Sequence, residues 1–296
     1  MEINRARAFL AVAEELHFGR AAGRLHIAQP PLSRMIRALE DELGAELFVR
    51  SPRQVSLTPV GEALVEPARE LVMQSERMIH LVRRVQRGET GRVRLGFSGA
   101  SVNTVVSEFV RKFHDDRPNV TVALQGAQLS QPGLERLMSG ALDAVIGRWD
   151  VLPPDVDSRV IAREELVLAL PNGHRLTERD SVSAEDLVGE PWIVLPGGGG
   201  STLSSRLHEL AGRGGFIPRI VETAADSATQ LLMVDAGIGI ALTFSGVREN
   251  VPVHSVAFLP VAPSLGDVEV RIAWRKNDAN PALAALIHTA EGFLGQ

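Results

Sequence analysis

Cysteine and tyrosine are absent from the 296-residue sequence, and only two of its 31 basic residues, Lys112 and Lys276, are lysines. Without cysteine the chain can build no disulfide framework, thiolate zinc site, iron–sulfur cluster or cysteine nucleophile. Its eight histidines lie far apart in sequence, and no two have the spacing of metal ligands. We therefore expect no metal site.

Long apolar runs are also missing. No stretch approaches the roughly 18 to 20 apolar residues of a membrane span. The apolar segment from Ala8 to Ala13 near the start is short, and Glu14 and Glu15 follow it. We expect neither a transmembrane helix nor a signal peptide, and hence a cytoplasmic protein.

The motifs of common enzyme classes are incomplete. The segment 96–100 has Ala100 where a nucleophile elbow needs its last glycine. The glycine run 197–200 is followed by Ser201 and Thr202 but lacks the lysine of a P-loop. Gly-Ile-Gly at 237–239 precedes a predicted strand, which is the wrong context for dinucleotide binding. We expect no enzymatic activity and no cofactor.

The net charge of −5 is unevenly distributed along the chain. Residues 1–90 carry 13 Arg and no Lys against 12 acidic residues, hence +1, whereas the remainder carries −6. Nearly all positive charge is therefore guanidinium, which suits bidentate contacts with phosphate and guanine. A genome-wide preference for arginine explains the same bias.

The first 44 residues predict three short helices joined by tight turns. Apolar residues recur at three- and four-residue spacing over 3–16, 19–25 and 29–43. Pro30 and Pro31 suit the first turn of the third helix, where a missing N–H costs little. These elements predict either a helix-turn-helix with a recognition helix or a plain three-helix bundle with a solvated polar face.

The third helix has two predicted faces. Its inner face consists of Leu32, Ile36, Leu39 and Leu43, and its outer face presents Ser33, Arg34 and Arg37. Residues 47–50 and 55–58 then predict two short strands around a basic turn. A hairpin in this place is typical of a wing, whose Arg50 and Arg53 could reach the DNA backbone or minor groove. Hairpin tips also collect arginine and proline without any such role.

A long helix is predicted after Thr58, the expected N-cap, with Pro59 at the first helical position. Its heptad positions are Leu64, Ala68, Leu71, Ser75, Met78, Val82 and Val85. Pro67 lies inside the helix and should kink it. Such a stripe pairs with another helix, either its own copy in a dimer or an element of the C-terminal domain.

From Arg92 onward, predicted strands and helices alternate, which indicates two parallel α/β lobes. The predicted strands are 93–97, 120–124, 142–146, 160–170, 192–195, 220–222, 238–243 and 268–274. The predicted helices are 101–114, 132–139, 201–212, 227–236 and 281–294. Because the chain crosses between the lobes twice, we expect a ligand-binding cleft between them.

Polar side chains at predicted strand ends and helix starts, and one serine in the loop after the predicted strand 120–124, are expected to face this cleft. The candidates are Ser98, Ser101, Ser130, Arg148, Ser201 and Thr202. Arg148 ends a strand, where a guanidinium can clamp a carboxylate, and the hydroxyls at helix starts can hold an anion. Each candidate also has an ordinary explanation as a cap, a loop serine or a surface ion pair. Their convergence on one edge favours a site.

The N-terminal segment resembles the winged helix-turn-helix of LysR-type transcriptional regulators. The residues that carry the likeness are Ala21 to Arg34, Ile36, Leu39-Glu40, Leu43-Gly44, Leu47-Phe48, Arg50 and Leu57-Thr58-Pro59-x-Gly61. The two-lobed remainder, with Ala236-Gly237-x-Gly239-Ile240, is similar to that family's effector-binding domain. Gln-Pro-Pro at 29–31, Gly96-Phe97 and Gly147-Arg148 further resemble the branch that controls aromatic-compound catabolism through benzoate, muconate or similar acids.

The resemblance implies an α+β multidomain chain with a winged helix-turn-helix at 1–58, a linker and dimerisation helix at 59–89 and a periplasmic-binding-protein-like effector domain at 90–296. Lobe I would comprise about 90–161 and 267–296, and lobe II about 162–266. The implied major-groove residues are Gln29, Pro30, Pro31, Ser33, Arg34 and Arg37, with Arg50 and Arg53 on the wing.

The implied partners are promoter DNA, a small effector and further copies of the chain, as a dimer or more often a tetramer. RNA polymerase stays open as another partner. A rival hypothesis from the residues alone is a cytoplasmic small-molecule-binding protein or α/β enzyme with a fused helical domain. It predicts ligand binding or turnover without a DNA complex.

Overall fold

The computed structural model describes residues 1–51, 54–126, 129–197, 201–253 and 255–293. The chain divides into two compact units, residues 1–84 and 85–296. The first unit therefore contains the predicted DNA-binding segment and most of the predicted linker helix. In the described ranges, no helix is both long and apolar enough to cross a membrane.

The first unit consists of short helices, a hairpin and one long helix. The elements are α1 (Ile3–Glu15), α2 (Phe18–Arg24), α3 (Gln29–Leu43), β1 (Phe48–Arg50), β2 (Val55–Leu57) and α4 (Pro59–Gln86). β1 and β2 pair antiparallel. The N-cap of α2 is His17, whose Nδ1 accepts hydrogen bonds from the backbone N–H groups of Gly19 and Arg20 at 3.0 and 3.2 Å.

The inner face of α3 packs as predicted, apart from its last residue. Leu32, Ile36 and Leu39 are fully buried in one core with Phe9 and with the first strand of the hairpin. Leu43 was also predicted to be buried, but it is 42% exposed. It is the last residue of α3, after which Gly44 takes a left-handed conformation and turns the chain away.

The long helix α4 begins with the predicted cap, since the backbone N–H of Gly61 donates to the Thr58 hydroxyl at 3.0 Å. The helix continues past Pro67 to Gln86. The early heptad residues are used within the first unit: Ala68 is buried in its core, and Leu64 and Leu71 pack against that core. The late heptad residues are exposed, namely Met78, Val82 and Val85.

The first lobe of the second unit is a mixed sheet with helices. Its strands are β3 (Gly91–Phe97), β4 (Val120–Gln125), β5 (Ala144–Gly147), β6 (Val156–Glu164) and β12 (Val268–Arg275), in the order β4-β3-β5-β12-β6. β3 is parallel to β4 and β5, and β12 is antiparallel to β5 and β6. The helices are α5 (Asn103–Asp116), α6 (Ser130–Met138) and α10 (Pro281–Glu291), and a short 3-10 turn (Ala100–Val102) precedes α5.

The second lobe has its own core and two small sheets. One has the order β10-β7-β11, from β7 (Leu166–Pro171), β10 (Ala241–Phe244) and β11 (Val256–Pro260), and the other pairs β8 (Pro191–Val194) with β9 (Arg219–Thr223). The helices are α7 (Thr202–Gly214), α8 (Ser227–Asp235) and α9 (Ser245–Asn250), with 3-10 turns at Arg175–Glu178 and Glu185–Leu187.

Several predicted boundaries in this unit were wrong. The helix predicted at 132–139 begins at Ser130 as α6, so this serine lies at a helix start and not in a loop. The predicted strand 160–170 is two strands in different lobes, because the chain crosses from β6 to β7 at Glu165. Residues 238–240 precede β10 as a turn and an isolated bridge from Ile240 to Trp192. Ser101, predicted as the first residue of a helix, lies in the 3-10 turn before α5.

Candidate functional site

The exposed face of α3 presents cations that have no partner among the described residues. Arg34 and Arg37 are exposed, and neither makes an ion pair or side-chain hydrogen bond with another described residue. Gln29 and Pro30 are exposed at the start of the same helix, while Pro31 and Ser33 are half-buried. These side chains form one polar surface with two free guanidinium groups.

Other arginines nearby are already paired. Arg20 contacts Glu15 at 3.2 Å, and Arg24 contacts Glu14 at 2.5 Å. The predicted wing residue Arg50 lies 2.5 Å from Glu40, with its guanidinium 5.1 Å from the ring centre of Phe18. Within the helix-turn-helix, the free positive charge is therefore concentrated on α3. The second predicted wing residue, Arg53, lies outside the described residues.

The six cleft candidates come together between the lobes. Ser98, Ser101, Ser130, Arg148, Ser201 and Thr202 all line one cleft of about 530 Å³. The rest of its lining includes Ser227 and Phe244, which the sequence did not identify. Of the glycine run beside Ser201, Gly197 also lines the cleft, whereas residues 198–200 lie outside the described residues.

Arg148 is 4% exposed and is held on several sides. Its Nε donates to Glu164 Oε2 at 2.7 Å, and its terminal nitrogen pairs with the same carboxylate. Its other terminal nitrogen donates to the hydroxyls of Ser98 and Ser101 at 3.4 and 3.2 Å. Phe244 lies face-on, with its ring centre 3.8 Å from the guanidinium carbon. The predicted clamp already has an internal counter-ion.

Burial lowers the pKa of the Arg148 guanidinium, and the charge and hydrogen bonds of Glu164 oppose that effect. An arginine stays protonated in proteins even when buried. Glu164 therefore offsets the charge of Arg148, the one cation among the described residues that line the cleft. As a result, Arg148 supplies N–H donors to the serine hydroxyls without adding an uncompensated positive charge.

Two helix N-termini face the cleft without a side-chain cap. α6 of the first lobe follows Leu129, and α7 of the second lobe follows Ser201, and neither residue caps its helix through its side chain. The first N–H groups of a helix have no partner within the helix, and the helix dipole places partial positive charge there. Such ends bind anions, and here one end comes from each lobe.

Thr202, the first residue of α7, carries a further unused group. It is 5% exposed, and its hydroxyl oxygen has no hydrogen-bond partner among the described residues. The Ser130 hydroxyl is in use, since it accepts a hydrogen bond from the Arg148 backbone N–H at 3.0 Å. The cleft therefore offers free donors at α7 beside an already organised serine–arginine cluster.

Sequence reasoning missed three residues of this site. Ser227 begins α8 in the same way as Thr202 begins α7, so the predicted helix start at 227 was a usable signal. Phe244 ends β10 at the edge where the other strands end. No sequence pattern indicated Glu164 as a site residue, because it lies in the middle of the predicted strand 160–170.

Comparison with known proteins assigns the segment with α3 and the two-lobed segment with the cleft to one family. Residues 3–62 match the model of the bacterial regulatory helix-turn-helix protein, lysR family, and residues 86–294 match the LysR substrate binding domain. The HTH-type transcriptional regulator ShiR of Corynebacterium glutamicum (strain R) is 36% identical over 98% of both chains. The HTH-type transcriptional regulator AlsR of Bacillus subtilis (strain 168) is 34% identical over 97% of this chain and 95% of its own.

Solved structures extend the match to the whole fold. The crystal structure of CbnR, a LysR family transcriptional regulator, has a TM-score of 0.78 and 27% identity, and covers 98% of this chain and 100% of its own. The full-length CbnR complex with target DNA has the same TM-score at 26% identity, over 98% and 99% of the two chains. The predicted fold class is confirmed, and these relatives are transcriptional regulators rather than enzymes. The chain belongs to the LysR-type family of transcriptional regulators, with a DNA-binding helix-turn-helix and an effector-binding domain.

Proposed function

We propose that this regulator binds a partly palindromic promoter site through α3 and responds to a small anionic effector in the cleft between the lobes. An acid derived from an aromatic compound is the proposed class, which rests on the resemblance to the aromatic-catabolism branch. Since the bacterial chromosome lies in the cytoplasm, that is the proposed location. The division into 1–58, 59–89 and 90–296 is the matching proposal for the domains.

The proposal of DNA binding is supported by the guanidinium groups of Arg34 and Arg37 on α3, which have no partner among the described residues. Arginine reads guanine in the major groove through two parallel hydrogen bonds, and the residues that begin a recognition helix contact base edges. We assign Gln29, Pro30, Pro31, Ser33, Arg34 and Arg37 to the major groove. Arg50 and Arg53 are assigned to the wing, and Arg50 must exchange Glu40 for a phosphate to act there. The solved complex of full-length CbnR with its target DNA supports DNA as the partner.

The effector part rests on the two uncapped helix ends. A carboxylate placed between α6 and α7 would accept N–H bonds from both lobes and the free hydroxyl of Thr202, and so would hold the cleft closed. Ser98, Ser101, Ser130 and Ser201 complete the assigned site. Arg148 orients Ser98 and Ser101 in this proposal, because Glu164 already offsets its charge.

A mobility-shift titration on the DNA upstream of its own gene tests the function. Arg34→Ala and Arg37→Ala should each weaken specific binding at least about tenfold, and each lost phosphate contact lowers the salt slope by about one. Arg111→Ala is the matched control, since Arg111 is exposed and unpaired within the described residues but lies on α5. The complex should shift with benzoate or muconate and not with the corresponding amides.

Wild-type affinity in both α3 variants would refute the assigned DNA surface. Equal responses to the acids and their amides would refute the anion site. Self-association through α4 belongs to the same proposal, with a tetramer and RNA polymerase contacts as its further steps.

A further inference from the structure

A second, smaller pocket lies in lobe II beside the cleft. We call it the Gln230 pocket. Its polar lining side chains are Gln230 and Ser204, and the rest of its lining is apolar and includes Ile193, Leu203, Leu207 and Leu242. Leu195 and Leu203 line the cleft as well. A group held in the cleft can therefore extend toward this pocket along a shared apolar wall.

The one amide in this lining has a fixed orientation. Gln230 is 1% exposed, and its Nε2 donates to the backbone carbonyl of Ile193 at 2.8 Å. A carbonyl oxygen can only accept, so the nitrogen must be on that side and Oε1 on the other. Oε1 is buried and has no partner among the described residues. A buried acceptor without a donor is unfavourable, and folded proteins seldom leave one unpaired.

The lining defines what can satisfy this oxygen. The partner must donate a hydrogen bond, and it must enter between leucine and isoleucine side chains. The described residues that line the pocket carry no charge, so an ammonium group would be desolvated there without a counter-ion. An uncharged O–H or N–H on a short apolar stem meets both requirements, and a single buried water is the competing occupant.

We propose that the Gln230 pocket is a specificity subsite that takes an uncharged hydroxyl or N–H group at the end of an apolar stem of the effector. The inference rests on the proposed function, in which the acid end of the same molecule lies between α6 and α7. It narrows the effector to acids that carry a distal hydrogen-bond donor. A site that hydrogen-bonds such a group discriminates strongly against the analogue that lacks it.

Three kinds of probe separate the subsite from the acid site. Calorimetry on the full chain compares butyrate with 4-hydroxybutyrate and hexanoate with 6-hydroxyhexanoate, and crystals are soaked in 1-propanol, which lacks a carboxylate. At least one hydroxy acid should bind about tenfold more tightly than its parent, since one added hydrogen bond contributes about that much. In the soaked crystal, the propanol hydroxyl should lie within hydrogen-bond distance of Gln230 Oε1.

Two substitutions test the amide itself. Gln230→Met keeps the volume and removes the acceptor, so the preference for the hydroxy acid should vanish. Gln230→Glu keeps an acceptor oxygen and should retain the preference. Gln74→Met is the matched control, since Gln74 is an exposed glutamine of α4 that lines neither the cleft nor the Gln230 pocket, and it should leave the ratio unchanged.

The outcomes distinguish the two proposals. Acids that bind equally with and without the hydroxyl overturn the subsite and leave the acid site standing. Propanol on Gln230 with no binding of any acid supports the subsite and overturns the acid site. A lone water on Gln230 in propanol-soaked crystals overturns the subsite even if Gln230→Met fails to fold.

Discussion

At the scale of single residues, the most consequential contact is the buried pair of Arg148 and Glu164. The pair bridges the end of β5 and the end of β6, where the chain leaves the first lobe. Both side chains are almost fully buried. The attraction between them offsets the free-energy cost of burying each charge, and this holds only while both are present. A test of Arg148 in effector binding therefore has to separate stability from recognition.

We expect Arg148→Ala to destabilise the full chain by about 3 to 5 kcal/mol, since it leaves the Glu164 charge buried and unpaired. The double change Arg148→Met with Glu164→Leu should recover most of that loss. Urea unfolding of the three proteins measures this. A single variant as stable as the double one would contradict the account. Only the double variant is suited to measuring the effector response.

Asp143 is a second buried carboxylate, and its titration lowers the stability of the second unit at acid pH. Asp143 Oδ2 accepts hydrogen bonds from the backbone N–H and the Nε of Arg94, at 2.7 and 3.1 Å. Burial by itself would raise the pKa of Asp143, but the hydrogen bonds and charge of Arg94 hold it below its ordinary value. The stabilisation is therefore complete above the unfolded pKa of about 4 and disappears as the pH falls through the lower folded pKa.

Asp143→Asn removes this titration. We expect the variant to be less stable than the wild type at pH 7. The difference should shrink below about pH 4, where the carboxyl takes up a proton in the unfolded wild-type chain but not yet in the folded one. Urea midpoints measured between pH 7 and pH 3 give the comparison. A difference that stays constant over that range would assign the effect to packing instead.

At the scale of elements, α4 depends on a glycine in its first turn. A Cβ built on Gly61 would lie 2.2 Å from the backbone oxygen of Leu47, which cannot move aside as a side chain could. We expect Gly61→Ala to destabilise the first unit by about 1 to 3 kcal/mol or more through overpacking. Gly23 in α2 has no atom within 4 Å of such a Cβ, so Gly23→Ala should stabilise the unit by up to about 1 kcal/mol. Thermal unfolding should move in opposite directions for the two variants, and a shift of the same sign would contradict this reading.

The elements of the first unit were largely predictable because their signals are local. The bounds of α3 follow from Pro30, Pro31 and Gly44, and the start of α4 follows from Thr58 and Pro59. The strand 160–170 failed because β6 and β7 form one continuous extended segment in sequence, and only pairing with different sheets separates them. β11 was not predicted from the sequence. It ends in Pro260, and proline usually indicates the absence of a strand, but an edge strand such as β11 tolerates it.

The same reasoning explains how much of the cleft could be predicted. Strand ends and helix starts are local features, so Ser98, Ser130 and Thr202 were placed at the right edge. The partner of Arg148 lies sixteen residues away on another strand, and no local pattern encodes that pairing. The counter-ion of Arg148 therefore becomes visible only in the tertiary structure.

At the scale of the whole molecule, a net charge of −5 first argues against a nucleic-acid partner. The structure shows why the total misleads. Much of the positive charge of the first unit is offset by internal ion pairs, at Arg5, Arg7, Arg20, Arg24, Arg50 and Arg69. Within the helix-turn-helix, the guanidinium groups without an ion pair among the described residues are those of Arg34 and Arg37, and both lie on α3. Since each phosphate contact adds only part of the affinity, tight binding requires two such surfaces on one DNA site.

The late heptad residues of α4 form the surface through which we propose that two copies join. Val82 is 56% exposed, and Met78 and Val85 flank it on the same helix face. We expect Val82→Glu to place a charge in that seam, to dissociate the dimer, and to weaken specific DNA binding by about 100-fold or more as bivalency is lost. His80→Glu adds the same charge about 200° around the helix and should leave both properties intact. Sedimentation velocity and mobility shift at matched concentrations measure them. If the Val82→Glu protein still sediments as a dimer, the dimer interface must lie on another element, because two glutamates cannot be buried together in a tightly packed helix pair.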